Sequence, residues 1–584
     1  MMMNPREKSL QDRNADDADA PLSAEPEQET GVGEQVGKSA AMMSFFIIVS
    51  RITGFVRTWA MAYALGATVL ASSYQVANNL PEMLYEMVLA GILTTAFLPV
   101  YMSVKQKLGA ERGNEYASNI LSLTCIFLGI IALLCVLFAP QLIFTQSFLS
   151  DQKNMHDAVF FFRFFSIQIL FYGVSAIVSG LLNASRDYIW YSAAPILNNV
   201  VVTATFVLYA MVAPHDPHLA NVILGIGNPL GIFVQMAIQI PALKKNGIKL
   251  RFRIDLKDPA LMETLSIGVP TIIATAIGFL IVSIKNAAAY DVVGNGPSII
   301  TYARLWYNLP YAFLTVPITT ALFTEISEMF AKDNMEGFKR SIVSGTSQIL
   351  FFMVPFALYL IVFSIPLVTL YHIGAFTTDN ILSIALYLAV FSISLPLYGV
   401  QSYMQRVFSA LRRMREYVAV IVIAAVAQIA FTLVFGTHLV FKGGAMGMAG
   451  IALSETVYFA IVDVLCFVQL RRHFGAIGYR NVISTGVKSL AIGLAGAAAG
   501  AVVLVALHYL FGGGAPAPAD IGGSGAPNAE IMLDGSIAHA FIMIVVGGLV
   551  ALFTTYGLAI KLKMPESAMI SRLTGRITGR LFRR

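Results

Sequence analysis

Charge is what this 584-residue chain has least of: Asp, Glu, Lys and Arg make up 12% of it, about half the roughly 25% of a soluble domain. Apolar residues make up 57% and mean hydropathy is +0.72, so there is too little polar surface to cover several water-facing domains. Cysteine is equally scarce. Cys125, Cys135 and Cys466 all lie in apolar runs, and an odd count there excludes a disulfide framework. No apolar stretch follows a basic start before about residue 42, so no signal peptide is expected. Alternating ten-residue strand patterns are also missing, and at this apolarity and run length only helices satisfy the backbone within lipid. Soluble enzymes, disordered chains and β-barrels are excluded. What is present is an all-α polytopic membrane protein.

Apolar runs able to cross about 30 Å of hydrocarbon, roughly 20 residues each, recur fourteen times. They cover 42–66, 75–103, 118–143, 158–183, 190–212, 220–243, 263–288, 299–328, 342–371, 381–410, 417–440, 445–470, 483–511 and 537–562. With both termini in the cytoplasm, thirty-two of the thirty-nine Lys and Arg fall on the inner side. Only Lys153 and Lys442 fall outside, the asymmetry expected of correctly counted spans. Five bases remain at bilayer depth: Arg51, Arg57, Arg163, Lys285 and Arg304. Each costs several kcal/mol unless it snorkels, pairs or faces water.

The chain also repeats itself. Tyr172-Gly173-Val174, Ala184 and Arg186 recur as Tyr398-Gly399-Val400, Ala410 and Arg412, an offset of 226. Thr94-Thr95-Ala96 recurs at Thr319-Thr320-Ala321, and Asn79-Leu80-Pro81 at Asn308-Leu309-Pro310. An offset of six spans keeps both copies in one orientation, so two parallel six-helix lobes are expected, 42–243 and 263–470, with cargo bound between them. A basic cytoplasmic linker, 244–262, joins them. Spans thirteen and fourteen occupy 483–562, with a flexible outer loop at 512–536 rich in Gly, Ala and Pro. Residues 1–41 hold nine acids against four bases and read as a disordered acidic cytoplasmic tail; 563–584 form a basic cytoplasmic tail.

Arg51 and Arg57 lie six residues apart in span one, about 9 Å along a helix. Two readings are open for Arg57: an ion pair with an acid such as Glu86, or an anion site, since guanidinium forks grip phosphate oxygens bidentately. Arg304, beside Trp306 and Pro310, either snorkels outward or faces a cavity, and Lys285 carries the same alternatives. Arg163, among phenylalanines, reads as an interfacial anchor. Glu82 and Glu86, four residues apart on span two, and Glu455 and Asp463 on span twelve are salt-bridge partners, proton sites or cation ligands. Gly31-Val32-Gly33-Glu34-Gln35-Val36-Gly37-Lys38-Ser39 imitates a P-loop but lacks its first glycine and a preceding strand. No metal site and no catalytic group is expected.

Ser50-Arg51-x-x-Gly54-Phe55-x-Arg57, Gly66-Ala67, Asn79-Leu80-Pro81, Ala90-Gly91 and Ala96-Phe97-x-Pro99, with Tyr302-Ala303-Arg304-Leu305, together resemble the MurJ/MviN lipid II flippases. These are members of the multidrug/oligosaccharidyl-lipid/polysaccharide exporter superfamily. The resemblance covers about residues 42–510 and implies alternating-access export of undecaprenyl-diphosphate-linked peptidoglycan precursor across the bacterial cytoplasmic membrane. It implies a diphosphate site at Arg51, Arg57 and Arg304, and a groove at spans thirteen and fourteen for the lipid tail. It also implies membrane lipids and cell-wall synthesis proteins as partners, no nucleic acid, and no cofactor beyond a membrane potential or ion gradient. The chain departs from the family at Thr58, Ser72, Tyr85, Glu86 and Tyr307, losing basic charge on span two, and Lys285 is expected to supply a replacement cation to the diphosphate. The alternatives are a flippase for another polyprenyl-linked glycan and a cation-coupled multidrug exporter.

Overall fold

The structure is a computed structural model that describes residues 27–90, 96–150, 155–268, 271–440, 446–511 and 536–568. Among these every regular element is helical. The first half comprises α1 (Glu27–Leu65), α2 (Val69–Tyr85), a π-helical turn at Glu86–Ala90, α3 (Leu98–Leu137), α4 (Ala139–Phe144), α5 (His156–Phe165), α6 (Gln168–Ala184), α7 (Tyr188–Val212) and α8 (Pro217–Ala237). After the short α9 (Ile240–Lys245) and α10 (Pro259–Gly268) comes the second half. It comprises α11 (Thr271–Val292), α12 (Gly296–Pro310), a second π-helical turn at Tyr311–Thr315, α13 (Val316–Ala331), α14 (Met335–Val362), α15 (Ser364–Thr369), α16 (Thr378–Ser392), α17 (Leu395–Ala410), α18 (Met414–Phe435) and α19 (Gly447–Phe474). α20 (Tyr479–Leu510) and α21 (Ile537–Lys561) close the fold.

The repeat written in the sequence recurs in the packing. α1 lies on α7, α7 on α8, α2 on α5 and α3 on α6; in the second half α11 lies on α18, α18 on α19, α12 on α16 and α14 on α17. Both α6 and α17 end two residues before an arginine held at positive φ, Arg186 at 58° and Arg412 at 57°. Tyr85 stacks on Tyr172 and Tyr311 on Tyr398, with ring centroids 5.8 and 4.2 Å apart. Each half also breaks its second helix into a π turn just after a proline, Pro81 or Pro310. A proline inside a helix removes one ladder hydrogen bond and clashes with the preceding turn, and π turns concentrate at functional sites. α20 and α21 pack on each other, and α20 also packs on α14 of the second half. Gly493, Gly496 and Gly500 let backbones approach there, the small-residue packing typical of helices in lipid.

Three expectations change. The helix of span one begins at Glu27 rather than near 42, because Glu, Gln and Ala in this stretch favour helix despite its polarity; the P-loop-like residues 31–39 lie inside that helix, and residues 1–26 fall outside the described ones. Twelve helices among the described residues are long and apolar enough to cross a membrane, or thirteen if the bent pair α16–α17 is one span, so the count of fourteen is not reached. The expected span 75–103 accounts for the difference: α2 is rich in Ser, Asn and Gln, and residues 91–95 are not described. The linker 244–262 is docked on the first half. Backbone N–H groups of Arg251 and Arg253 donate to Ser118 Oγ and Ser122 Oγ, both at 3.0 Å, and Asn119 makes two 2.8 Å hydrogen bonds with the Asp255 backbone. Residues 512–535 of the expected loop and 569–584 of the basic tail lie outside the described residues.

Candidate functional site

The two halves meet where the loops after α1, α11 and α15 converge. Tyr302 Oη donates to the Gly66 carbonyl at 2.9 Å, Asn295 Nδ2 to the Ala67 carbonyl at 2.7 Å and the Ser298 N–H to Ser72 Oγ at 3.1 Å. Trp59 Nε1 reaches the Leu370 carbonyl at 3.0 Å, and the Ala375 N–H reaches that of Tyr63 at 3.0 Å. Gly66 and Gly374 take positive φ, 61° and 60°, where the chains pass too closely to admit a Cβ. Next to this junction Gln146 joins the halves again, donating to Ser283 Oγ at 2.6 Å and accepting from Asn286 at 3.0 Å.

The residues singled out by the sequence are distributed over both halves. α1 carries Arg51, exposed, and Arg57, half-buried. Neither makes an ion pair with another described residue, so the pairing of Arg57 with Glu86 is not formed. Arg57 instead lies within electrostatic reach of Glu82, Tyr74 and Tyr172. Glu82 and Glu86 are exposed, Glu86 opening the first π turn. Arg163 is exposed on α5. Thr58 only bonds back to the Gly54 carbonyl at 3.1 Å.

The second half holds the denser cluster. Glu455 on α19 accepts through one oxygen, Oε1, from Lys285 of α11 and, at 3.3 Å, from Arg304 of α12. Lys285 and Glu455 have side chains 5% and 10% exposed, while Arg304 keeps 43%. The Arg304 guanidinium lies over the Phe391 ring, 5.5 Å from its centroid. Tyr307 is buried, hydrogen-bonds Ser394 Oγ at 2.8 Å and stacks on Phe391. Lys285 is therefore enclosed on a carboxylate, and Arg304 is the base that remains accessible. Asp463, 5% exposed, has neither carboxylate oxygen hydrogen-bonded to a described residue. It lies near Tyr417 and Cys466, away from the other candidates.

Sequence reasoning missed the frame around Arg304, formed by Phe391, Tyr387 and Tyr398, and the Gln146 bridge. The aromatic content of residues 387–398 was the available signal. A separate cavity of about 580 Å³ opens between α12, the second π turn, α14 and α21, lined by Trp306, Phe313, Phe356, Tyr359, Val545 and Leu549 among other apolar groups. Its wall suits an alkyl or polyprenyl chain.

The family model described as "Lipid II flippase MurJ" matches residues 61–514, leaving Arg51, Arg57 and α21 outside the match. The probable lipid II flippase MurJ of Borreliella burgdorferi is 23% identical over 434 residues, covering 74% of this chain and 82% of that protein. Lipid II flippase MurJ of Burkholderia cenocepacia is 25% identical over 362 residues, covering 60% and 69%. Among solved structures, lipid II flippase MurJ in an inward closed conformation overlays with a TM-score of 0.68 at 18% identity, covering 89% of this chain and 99% of that one. An inward-facing multidrug resistance MATE transporter overlays at 0.62 with 14% identity, covering 74% and 98%. With a family match over most of the chain and two paired halves, the protein belongs to the MurJ lipid II flippase family.

Proposed function

We propose that the protein carries lipid II across the bacterial cytoplasmic membrane by alternating access, making and breaking no bond in the cargo. The observation that carries this is the pair of half-accessible guanidiniums, Arg57 on the first half and Arg304 on the second, neither neutralised by a carboxylate of its own. A guanidinium fork grips phosphate oxygens bidentately. The seam between repeat-related halves is where transporters of this architecture bind.

The charge asymmetry of the sequence assigns the Gly66–Ser72 and Asn295–Ser298 junction to the outer side, so the halves are closed there. Cargo then enters from the cytoplasm, its diphosphate meeting Arg51, Arg57 and Arg304 while the polyprenyl chain stays in lipid or in the apolar cavity beside α21. Breaking the outer junction and closing the inner end exposes the headgroup outside. A membrane potential or ion gradient supplies the drive, and no ATP is bound. The test is growth of a cell depleted of its own lipid II flippase. Rescue by this chain supports the reading, and no rescue by a normally inserted chain counts against it.

A further inference from the structure

Lys285 is the only buried lysine among the described residues, and its position does not suit a cargo ligand. It is 4% exposed, and its ammonium rests on Glu455. Its neighbour Asn286 is tied to Gln146 of the first half, which fixes the helix carrying it. Arg304 bonds the same carboxylate oxygen from the open side. Two cations thus share one anion and leave one net positive charge, on the accessible member.

The corresponding helices of the first half, α2 and α8, are joined by a neutral amide pair, Asn78 and Asn228. The contact that corresponds to α12 on α19 can therefore be built without charge, which leaves room for the Arg304–Glu455 pair to serve something other than packing. A lone Glu455 would hold Arg304 against any incoming anion, since a low-dielectric site strengthens the pair. With Lys285 behind it, the carboxylate stays compensated when Arg304 leaves.

We propose that Lys285 is a positioning residue that neutralises Glu455 from behind, so that Glu455 parks Arg304 over Phe391 and surrenders it to the cargo diphosphate. This deepens the transport reading and rests on it for the identity of the anion. It replaces the expectation that Lys285 itself touches the diphosphate.

The experiment measures binding of inorganic pyrophosphate to the purified full-length protein in detergent by calorimetry. Lys285→Met should weaken binding about tenfold, 1.4 kcal/mol, because Glu455 then holds Arg304 alone. Lys285→Met with Glu455→Gln should return affinity to within about threefold of the unaltered protein, less than 1 kcal/mol, and Arg304→Ala should abolish it in either background. A double variant as weak as the single one, a single variant that binds normally, or an unaltered protein that does not bind pyrophosphate overturns the proposal. A structural ion pair would also be relieved by removing the carboxylate, so the thermal midpoint is read beside affinity: weakened binding in Lys285→Met that merely tracks a lowered midpoint overturns the proposal, and weakened binding at an unchanged midpoint supports it. Where Lys285→Met does not fold, the neutral double variant decides alone by the same limits. Rescue of flippase-depleted cells by the unaltered chain reports separately on the transport reading.

Discussion

Removing one hydroxyl at the junction between the halves should release the closed end in a measurable proportion. Tyr302→Phe keeps the ring, which packs 5.4 Å from both Tyr371 and Phe376, and deletes only the hydrogen bond to the Gly66 carbonyl. Tyr302 is fully buried, so the closed state loses the bond outright, while an opened state would have offered both groups water. A neutral hydrogen bond has a net worth of about 1 kcal/mol, which shifts a two-state population about fivefold. Ser298, fully buried beside Ser72 in the closed arrangement, is the reporter position. In a background with Cys125, Cys135 and Cys466 replaced, Ser298→Cys should react with a maleimide about fivefold faster when Tyr302→Phe is added, the rate following the opened fraction. An unchanged rate in a stably folded double variant would refute the reasoning that this junction is a gate rather than a permanent weld.

Arg57→Ala should abolish rescue of flippase-depleted cells at normal protein level; full rescue would remove Arg57 from the site. Gly496→Val should lower the thermal midpoint in detergent by several degrees. Its side chain would meet Thr555 and the Ala551 carbonyl between α20 and α21, and overpacking costs about 1–3 kcal/mol. Gly548, which has open space where a Cβ would be and lines the apolar cavity, should accept Trp without loss of that midpoint while transport falls, since the indole fills the cavity. Transport in vesicles should collapse when membrane potential and ion gradients are both dissipated.

The scarcity of charge made much of this protein legible in its sequence. Arg57 and Arg304 stood out as candidates because lipid depth makes a base costly unless something is gained. The Tyr-Gly-Val and Asn-Leu-Pro echoes reported the two halves, and the paired π turns and tyrosine stacks bear out that repeat. Partners far apart along the chain were not legible. Glu455 lies 170 residues from Lys285, and no local pattern tells a buried ammonium on a carboxylate from a free one facing an anion. The α2 segment does not register as a span by apolarity because its Ser and Gln face protein rather than lipid: Ser72, Ser73 and Gln75 are all buried. Composition reads the solvent a helix prefers, while a helix enclosed by neighbours need not look apolar.

The most direct test reconstitutes the purified protein in vesicles with lipid II on one leaflet and scores the headgroup's accessibility to an impermeant enzyme on the other. Lipid II should become accessible with the unaltered chain and an imposed potential, and should stay protected with Arg57→Ala or Arg304→Ala. Equal accessibility with and without the two arginines, or none with the folded unaltered chain, would contradict the claim that these guanidiniums carry the diphosphate across.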